Sequence, residues 1–338
     1  MKTTITDVAK EAGVSMKTVS RVLNNEPNVA QATRDRVMEV AQRLQYTPNL
    51  AARGLASSRS YLIALVYDNP SPSYITNIQR GAIEACRKKG YHVVLEPMSL
   101  EQAESPDSER MLKRLGVDGV ILTPPLSDSI PMRDTLRRLN IPHVLVAPEE
   151  SGPSPTVRMD DVEAARQMTE YLLGQGHREI GFIVGHTEHA ASALRQEGFE
   201  QAMHAHDLPI RGEWVAQGDF SFRSGVEAAE RLLKDPDHRP TAIFASNDDM
   251  AAGVVSVAGR MGLSVPDQLS VCGFDDTPIA QILWPKLTTV AQPIQDMGRK
   301  AAELLIDRPD GNNPLHHTLD FELVIRESTR LTNFKASA

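Results

Sequence analysis

Cysteine is nearly absent from this 338-residue chain: Cys86 and Cys272 are the only two. Two thiols in segments that read as a helix face and a strand exclude a disulfide framework and a thiolate metal cluster, and fit a reducing compartment. Aromatic residues are sparse at 5%. No apolar run approaches the ~18 residues of a membrane span, and "MKTTITDVAK" has no apolar signal region. The sequence therefore reads as cytoplasmic, with no membrane partner. Nucleotide loops of the GxxxxGK[ST] and GxGxxG kinds are missing, as is a serine or cysteine nucleophile elbow. "HTEH" at 186–189 and "HH" at 316–317 lack a third ligand at motif spacing, so neither metal nor cofactor is expected.

What is present is ordinary in amount, with 41% apolar and 24% charged residues, but uneven in placement. Residues 1–60 carry 9 Lys+Arg against 5 Asp+Glu, a net of +4. The remaining chain carries 27 against 39, a net of −12, within a total of −8. A small basic head on an acidic body points to a polyanion met at one end only.

The head reads as three short helices. In "TITDVAKEAGVS", Thr6 is expected as the N-cap, Val8, Ala9 and Ala12 form the apolar stripe, and Gly13 ends the helix. Ser15 caps a second helix whose Val19, Val22 and Leu23 face inward. A third, from about Gln31 to Leu44, buries Val37, Val40, Ala41 and Leu44. Two short helices joined by a tight glycine turn and closed by a third make a helix-turn-helix. The outward face of the second helix is Ser15, Met16, Lys17, Thr18, Ser20, Arg21 and Asn24, rich in donors and free of acid. Such a face suits guanine edges and phosphate oxygens; it would also serve as an ordinary solvated surface.

From Tyr61 onward, strands such as "YLIALVY", "YHVVLEP" and "VDGVILTPP" alternate with amphipathic helices. The rhythm restarts after "TVRMDD", giving "EIGFIVG", "AIFASND" and "LSVCGFDD" in a second series. Repeated βαβ units mean parallel sheets with helices on both faces, here in two similar α/β lobes.

Open sheets of this kind bind ligands beyond the carboxyl ends of their strands. There the chain places Tyr67, Asp68 and Asn69, then Thr123, Pro124 and Pro125, then Asp219 and Phe220. Ser246, Asn247 and Asp248 follow, then Phe274, Asp275 and Asp276, with Arg195 one helix turn past "GHTEH". Carboxylates, amides, a guanidinium and aromatic faces suit a polyhydroxylated ligand. The plainer alternative is that these Asn and Asp residues cap the following helices, expected for Asp248 and Asp276. The "YDNPSPSY" loop adds Asp68, Asn69 and Tyr74 as candidates.

The stretch "TITDVAKEAGVSMKTVSRVLNNEPNVAQATRDRVMEVAQRLQYTPNLAARGLA", with "DVAKEAGVS", "TVSRVLN", "L.Y.PN" and "ARGLA", resembles the DNA-binding domain of the lac repressor (LacI/GalR) family of bacterial transcription regulators. The order of strands and helices behind it resembles the periplasmic-binding-protein type I fold. The resemblance implies an all-α helix-turn-helix head over 1–47, a hinge helix and linker over 48–60, and a two-lobed α/β effector-binding and dimerisation domain with parallel sheets over 61–338. Lobe one would comprise about 61–160 and 292–322, lobe two about 161–291 and 323–338.

By the same resemblance Met16, Lys17 and Arg21 match base-reading positions, while Ser15, Thr18, Ser20, Asn24, Thr33 and Asn49 match phosphate contacts. Thr6 joins this DNA-facing set. In the hinge, Ala52, Arg53 and Leu55 are implied to enter the minor groove, with Leu55 as an apolar wedge between base pairs. Arg195, Asn247 and Asp275 match effector contacts of sugar-responsive relatives; Asp68, Asn69, Tyr74, Thr123 and Phe220 complete the expected set. "VLVAPEE" departs from the pattern: Ala147 and Pro148 stand where such relatives carry a polar residue, which removes a contact or moves it to Glu149.

The expected protein is a non-enzymatic repressor of carbohydrate catabolism genes. It would be a homodimer on a palindromic double-stranded operator, relieved by a sugar-type effector. The C-terminal "RLTNFKASA" shows no leucine heptad, so a dimer rather than a tetramer is expected. A purine-type corepressor-dependent regulator is the alternative. A glycosidase would have no use for the basic head, and a transport-type sugar-binding protein is expected to carry an export signal, which "MKTTITDVAK" does not show.

Overall fold

In the computed structural model, residues 3–23, 27–46, 59–150, 152–307 and 315–331 are described. The chain divides into two compact units, residues 1–61 and 62–338. In the first, α1 (Ile5–Ala12), α2 (Met16–Leu23) and α3 (Gln31–Arg43) enclose a small core of Val8, Ala9, Ala12, Val19, Val22, Val37, Val40 and Ala41. The cap of α1 is Thr4, not Thr6. Asp7 stands three residues after Thr4, so the Thr4 hydroxyl accepts from the Asp7 N–H while the Asp7 carboxylate accepts from the Thr4 N–H at 2.8 Å. That reciprocal box satisfies two donors at once and outcompetes a cap two residues later. Gly13 adopts φ +64, a left-handed turn that costs glycine little, and α2 begins three residues on. The Ser15 hydroxyl accepts from the Thr18 N–H at 3.1 Å and so anchors the start of α2.

The second unit is built on two six-stranded sheets. The first contains β1 (Leu62–Tyr67), β2 (His92–Pro97), β3 (Gly119–Leu122), β4 (His143–Val146), β5 (Thr156–Arg158) and β11 (His316–Thr318), in the order β11-β5-β4-β3-β1-β2. All its pairings are parallel. The second contains β6 (Ile180–Val184), β7 (Val215–Gln217), β8 (Ala242–Ala245), β9 (Ser270–Asp275), β10 (Thr288–Ala291) and β12 (Glu322–Val324), in the order β12-β10-β9-β8-β6-β7. Only its β10–β12 edge pair is antiparallel. The central strands are buried on both faces, as β3, β6 and β8 show, which their unbroken apolar runs require.

Helices α4 (Pro72–Lys88), α5 (Leu100–Glu104), α6 (Ser108–Leu115) and α7 (Ile130–Arg138) belong to the first lobe. Helices α8 (Asp161–Gly174), α9 (Ala190–Ala205), α10 (Phe222–Leu232), α11 (Asp248–Arg260) and α12 (Pro278–Ile282) belong to the second. The last helix, α13 (Ile294–Asp307), returns to pack on α4. The chain therefore passes between the sheets three times, after β5, after β10 and between β11 and β12. Among the described residues no helix is long and apolar enough to cross a membrane.

Candidate functional site

On the head, burial of Val19 and Val22 leaves the other side of α2 in solvent. Met16 is 53% exposed, Ser15, Lys17 and Arg21 are exposed, and Thr18 and Ser20 are half-buried. The helix contains no acidic residue, so the positive end of its dipole and two cationic side chains act without opposition from their own helix. Thr6 is exposed, its hydroxyl 3.4 Å from the Met16 sulfur. Thr33 lies half-buried in the first turn of α3, which is likewise free of acid. Glu11, the acid that follows α1's basic Lys10, is paired with Arg43 at 2.8 Å. The expected positions Asn24, Asn49, Ala52, Arg53 and Leu55 lie outside the described residues.

In the body, the carboxyl ends of the two sheets face each other across a cleft. Asn69, Tyr74, Arg195, Phe220, Asn247 and Asp275, six of the eight expected effector positions, line one cavity there. Asp68 and Thr123 do not. Successive side chains at a strand end point to opposite faces, so Asp68 turns from its neighbour Asn69 and accepts from the Leu100 N–H at 3.0 Å. Thr123 is fully buried behind Pro124, which takes the place at the cavity.

Arg195 is the centre of the site. It is 4% exposed, with Nε donating to Asp161 at 2.9 Å and a terminal nitrogen donating to the Ser246 carbonyl at 2.5 Å. Asp275 lies 3.7 Å from it, and its guanidinium covers the Phe274 ring at 3.7 Å. Asp275 in turn accepts from the Gln292 amide at 2.5 Å. Burial raises the Asp275 carboxyl to about 7 against the pull of Arg195, and raises Asp161 as well. His189 is lowered to about 3, first by burial and then by His186 and Arg195, so its ring is neutral near pH 7. It meets Phe220 edge-on at 5.4 Å. A cavity of about 30 Å3 remains among these groups, room for a water or two, so a larger ligand enters only as the lobes or side chains part.

Backbone strain gathers around this cavity. Ala147, Phe220 and Asp275 hold φ of +45, +68 and +114, conformations that cost L-residues energy and collect at functional sites. Gly185 is what admits the Phe220 ring: a Cβ there would lie 2.1 Å from Phe220 Cζ and 2.6 Å from the Ser192 hydroxyl.

The capping alternative holds in a different way from that expected. Asn247, not Asp248, caps α11 by accepting from the Met250 N–H at 2.9 Å, and it also donates to the Phe220 carbonyl at 2.8 Å. It therefore fixes a helix start and a cavity wall together. Asp248 is fully buried and accepts from the Thr277 N–H at 2.7 Å and the Thr289 hydroxyl at 2.6 Å, tying β9 and β10 to α11. Asp276 accepts from Arg326 at 2.6 Å. Glu149 is exposed and outside this cavity, while Ala147 lines it.

Sequence reasoning missed Ser71, Asp161, His189, Ala191 and Gln292, all of which line the cavity. Ser71 donates to Asp249 at 2.9 Å, a hydrogen bond that joins one lobe to the other. His186 and His189 meet edge-on at 5.3 Å, and among the described residues no three His, Cys, Asp or Glu are grouped to hold a metal ion.

A helix-turn-helix unit joined in one chain to a two-lobed α/β body with a polar cleft at its strand ends defines a class of ligand-responsive DNA-binding proteins. Comparison with known proteins gives the family. Residues 4–49 match bacterial regulatory proteins of the lacI family, and residues 169–329 match a periplasmic binding protein-like domain. Catabolite control protein A of Priestia megaterium is 37% identical over 90% of this chain and 92% of its own length. The transcriptional repressor CytR of Escherichia coli (strain K12) is 34% identical over 97% of this chain and 96% of its own. A solved lac repressor dimer bound to operator and the anti-inducer ONPF superposes with a TM-score of 0.83, at 27% identity over 98% of this chain and 100% of that one. A complex of the regulator CelR with cellobiose superposes at 0.73, with 32% identity over 97% and 100%. The chain belongs to the lacI family of bacterial transcription regulators.

Proposed function

We propose that this protein is a cytoplasmic repressor of carbohydrate catabolism genes whose operator affinity falls when a sugar or sugar derivative binds between the lobes. The observation that carries this reading is the Arg195 network. A guanidinium held by Asp161 and facing Asp275, bordered by Phe220, Asn247 and Gln292, offers charged acceptors, donors and a ring face to neighbouring hydroxyls. The cellobiose complex of a relative 32% identical to this chain supports the same ligand class.

On the DNA side, Met16, Lys17 and Arg21 read base edges while Ser15, Thr18, Ser20, Asn24, Thr33 and Asn49 hold phosphates. One eight-residue helix gives too few contacts for a specific site, so two copies read a palindrome. An apolar patch supports a homodimer: Trp284 is 82% and Ile282 79% exposed, beside a hollow lined by Val255, Leu263, Val265 and Pro266. Ala52, Arg53 and Leu55 enter the minor groove at the palindrome centre, with Leu55 as the wedge.

The test is an operator duplex, selected from random sequence by the full chain, in a fluorescence-anisotropy titration with neutral sugars and purines. A sugar that weakens operator binding supports the proposal. A purine that strengthens it replaces the ligand class and reverses the sign. Leu55→Ala weakens selected operator far more than random duplex; equal losses remove the wedge.

A further inference from the structure

The Arg195 cavity does not stand alone. Beside it lies a second hollow of about 200 Å3, whose lining includes Ala147, Glu149, Arg158, Asp161, Ala191 and Thr318. Three residues, Ala147, Asp161 and Ala191, line both spaces. Two of these three are alanines, so little more than a methyl group on either lobe divides one space from the other. Asp161 faces both, with Oδ1 already committed to Arg195.

The chemistry of the second hollow is polar and cationic as well as acidic. Arg158 is half-buried at the end of β5 and forms no ion pair among the described residues. Glu149 and Asp160 are exposed beside it, and Thr318 adds a hydroxyl. Carboxylates accept from sugar hydroxyls and a guanidinium donates to them, so this lining suits a second polyhydroxylated ring. Its position matters too. Met159 and Asp160 belong to the first passage between the lobes, Arg158 ends the strand before it, and Thr318 ends the strand before the third. A ring held there touches the segments that join the two lobes.

We infer that the effector is an oligosaccharide of at least two rings, one ring in the Arg195–Asp275 cavity and the next in the Arg158 hollow across the Ala147–Ala191 divide. This deepens the sugar reading and rests on it. An alanine at 147 gives up a polar contact to the first ring and opens the way to a second, which supplies its own contacts at Arg158 and Glu149.

The experiment is calorimetric titration of the full chain with glucose, galactose, cellobiose, maltose and lactose. One hydrogen bond to a charged group corresponds to about ten-fold in affinity. The expected result is a disaccharide that binds at least about ten-fold more tightly than each of its component monosaccharides. Arg158→Ala and, separately, Ala147→Leu then bring that ratio close to one. Two separate substitutions, one polar and one apolar, guard against one that merely disturbs the fold, and circular dichroism melts identify such a case. A monosaccharide that binds as tightly as every disaccharide containing it overturns the inference while leaving the sugar reading intact. A ratio that survives both substitutions does the same. Binding of none of the five sugars, with a purine bound instead, overturns both.

Discussion

Arg195→Met isolates the electrostatic core of the cleft. Methionine keeps much of the length and the apolar contact with Phe274 but deletes the charge. The substitution removes donors 2.9 Å from Asp161 and 2.5 Å from the Ser246 carbonyl, and a positive charge 3.7 Å from Asp275. Two carboxylates, each about 6% exposed, are left buried without their cation. Breaking a buried ion pair from one side costs about 3–5 kcal/mol, so that is the loss expected at pH 8. The carboxylates can relieve it by taking up protons, which gives the prediction a sign in pH. Asp275 is already raised above its ordinary value to about 7, so its contribution to stability is present at low pH and lost as pH rises through 7. Arg195 is the strongest influence holding Asp275 and Asp161 down. Without it both rise further, and the declining limb of stability extends above pH 7. Urea unfolding followed by fluorescence of Trp214, buried in the second lobe, measures this directly. The variant should lose roughly half as much at pH 5.5 as at pH 8, and adding Asp161→Asn should restore part of the loss. A loss below about 1 kcal/mol, or an equal loss at both pH values, would mean that Arg195 does not hold these two carboxylates ionised.

Other consequences follow from single residues. Gly185→Ala should cost about 1–3 kcal/mol in thermal unfolding and weaken effector binding, because its Cβ displaces the Phe220 ring; an unchanged effector affinity separates that ring from the ligand. Trp284→Glu should shift light-scattering mass from dimer to monomer and weaken operator binding with it; a dimeric variant places the interface elsewhere. Arg21→Ala should cost about 1–3 kcal/mol on the selected operator and little on random duplex, whereas equal weakening of both marks Arg21 as a phosphate contact.

The sequence made the head and most of the body legible because both depend on short-range pattern. Apolar spacing marks α1 to α3, and buried parallel strands announce themselves as apolar runs. Among the elements it did not mark are β10, β11 and β12 of four, three and three residues, whose "TTVA", "HHT" and "ELV" carry too little pattern. The amphipathic "IQDMGRKAAELLID" of α13 lies between β10 and β11 and is likewise unmarked, although it buries Met297, Ala301 and Leu305. The Thr4–Asp7 box is legible as Thr-x-x-Asp, a spacing that Thr6 does not offer.

The cleft divides along the same line. Asn69, Phe220, Asn247 and Asp275 were accessible because open α/β sheets bind ligands beyond strand ends. Asp161 and Gln292 come from the passages between lobes, where proximity to Arg195 arises only when the two sheets face each other. His189 stands in "HTEH", whose spacing gives it no chemistry of its own; burial beside Phe220 makes it a neutral aromatic wall.

The proposed function couples the cleft to the recognition helix, and linkage makes that coupling reciprocal. The direct measurement is the Kd of the strongest sugar ligand for the free protein and for the protein saturated with operator duplex. If the sugar weakens operator binding by a given factor, operator must weaken sugar binding by the same factor, which is the expected result. Identical sugar affinities in the two states would contradict the coupling and leave the cleft a binding site without a regulatory role.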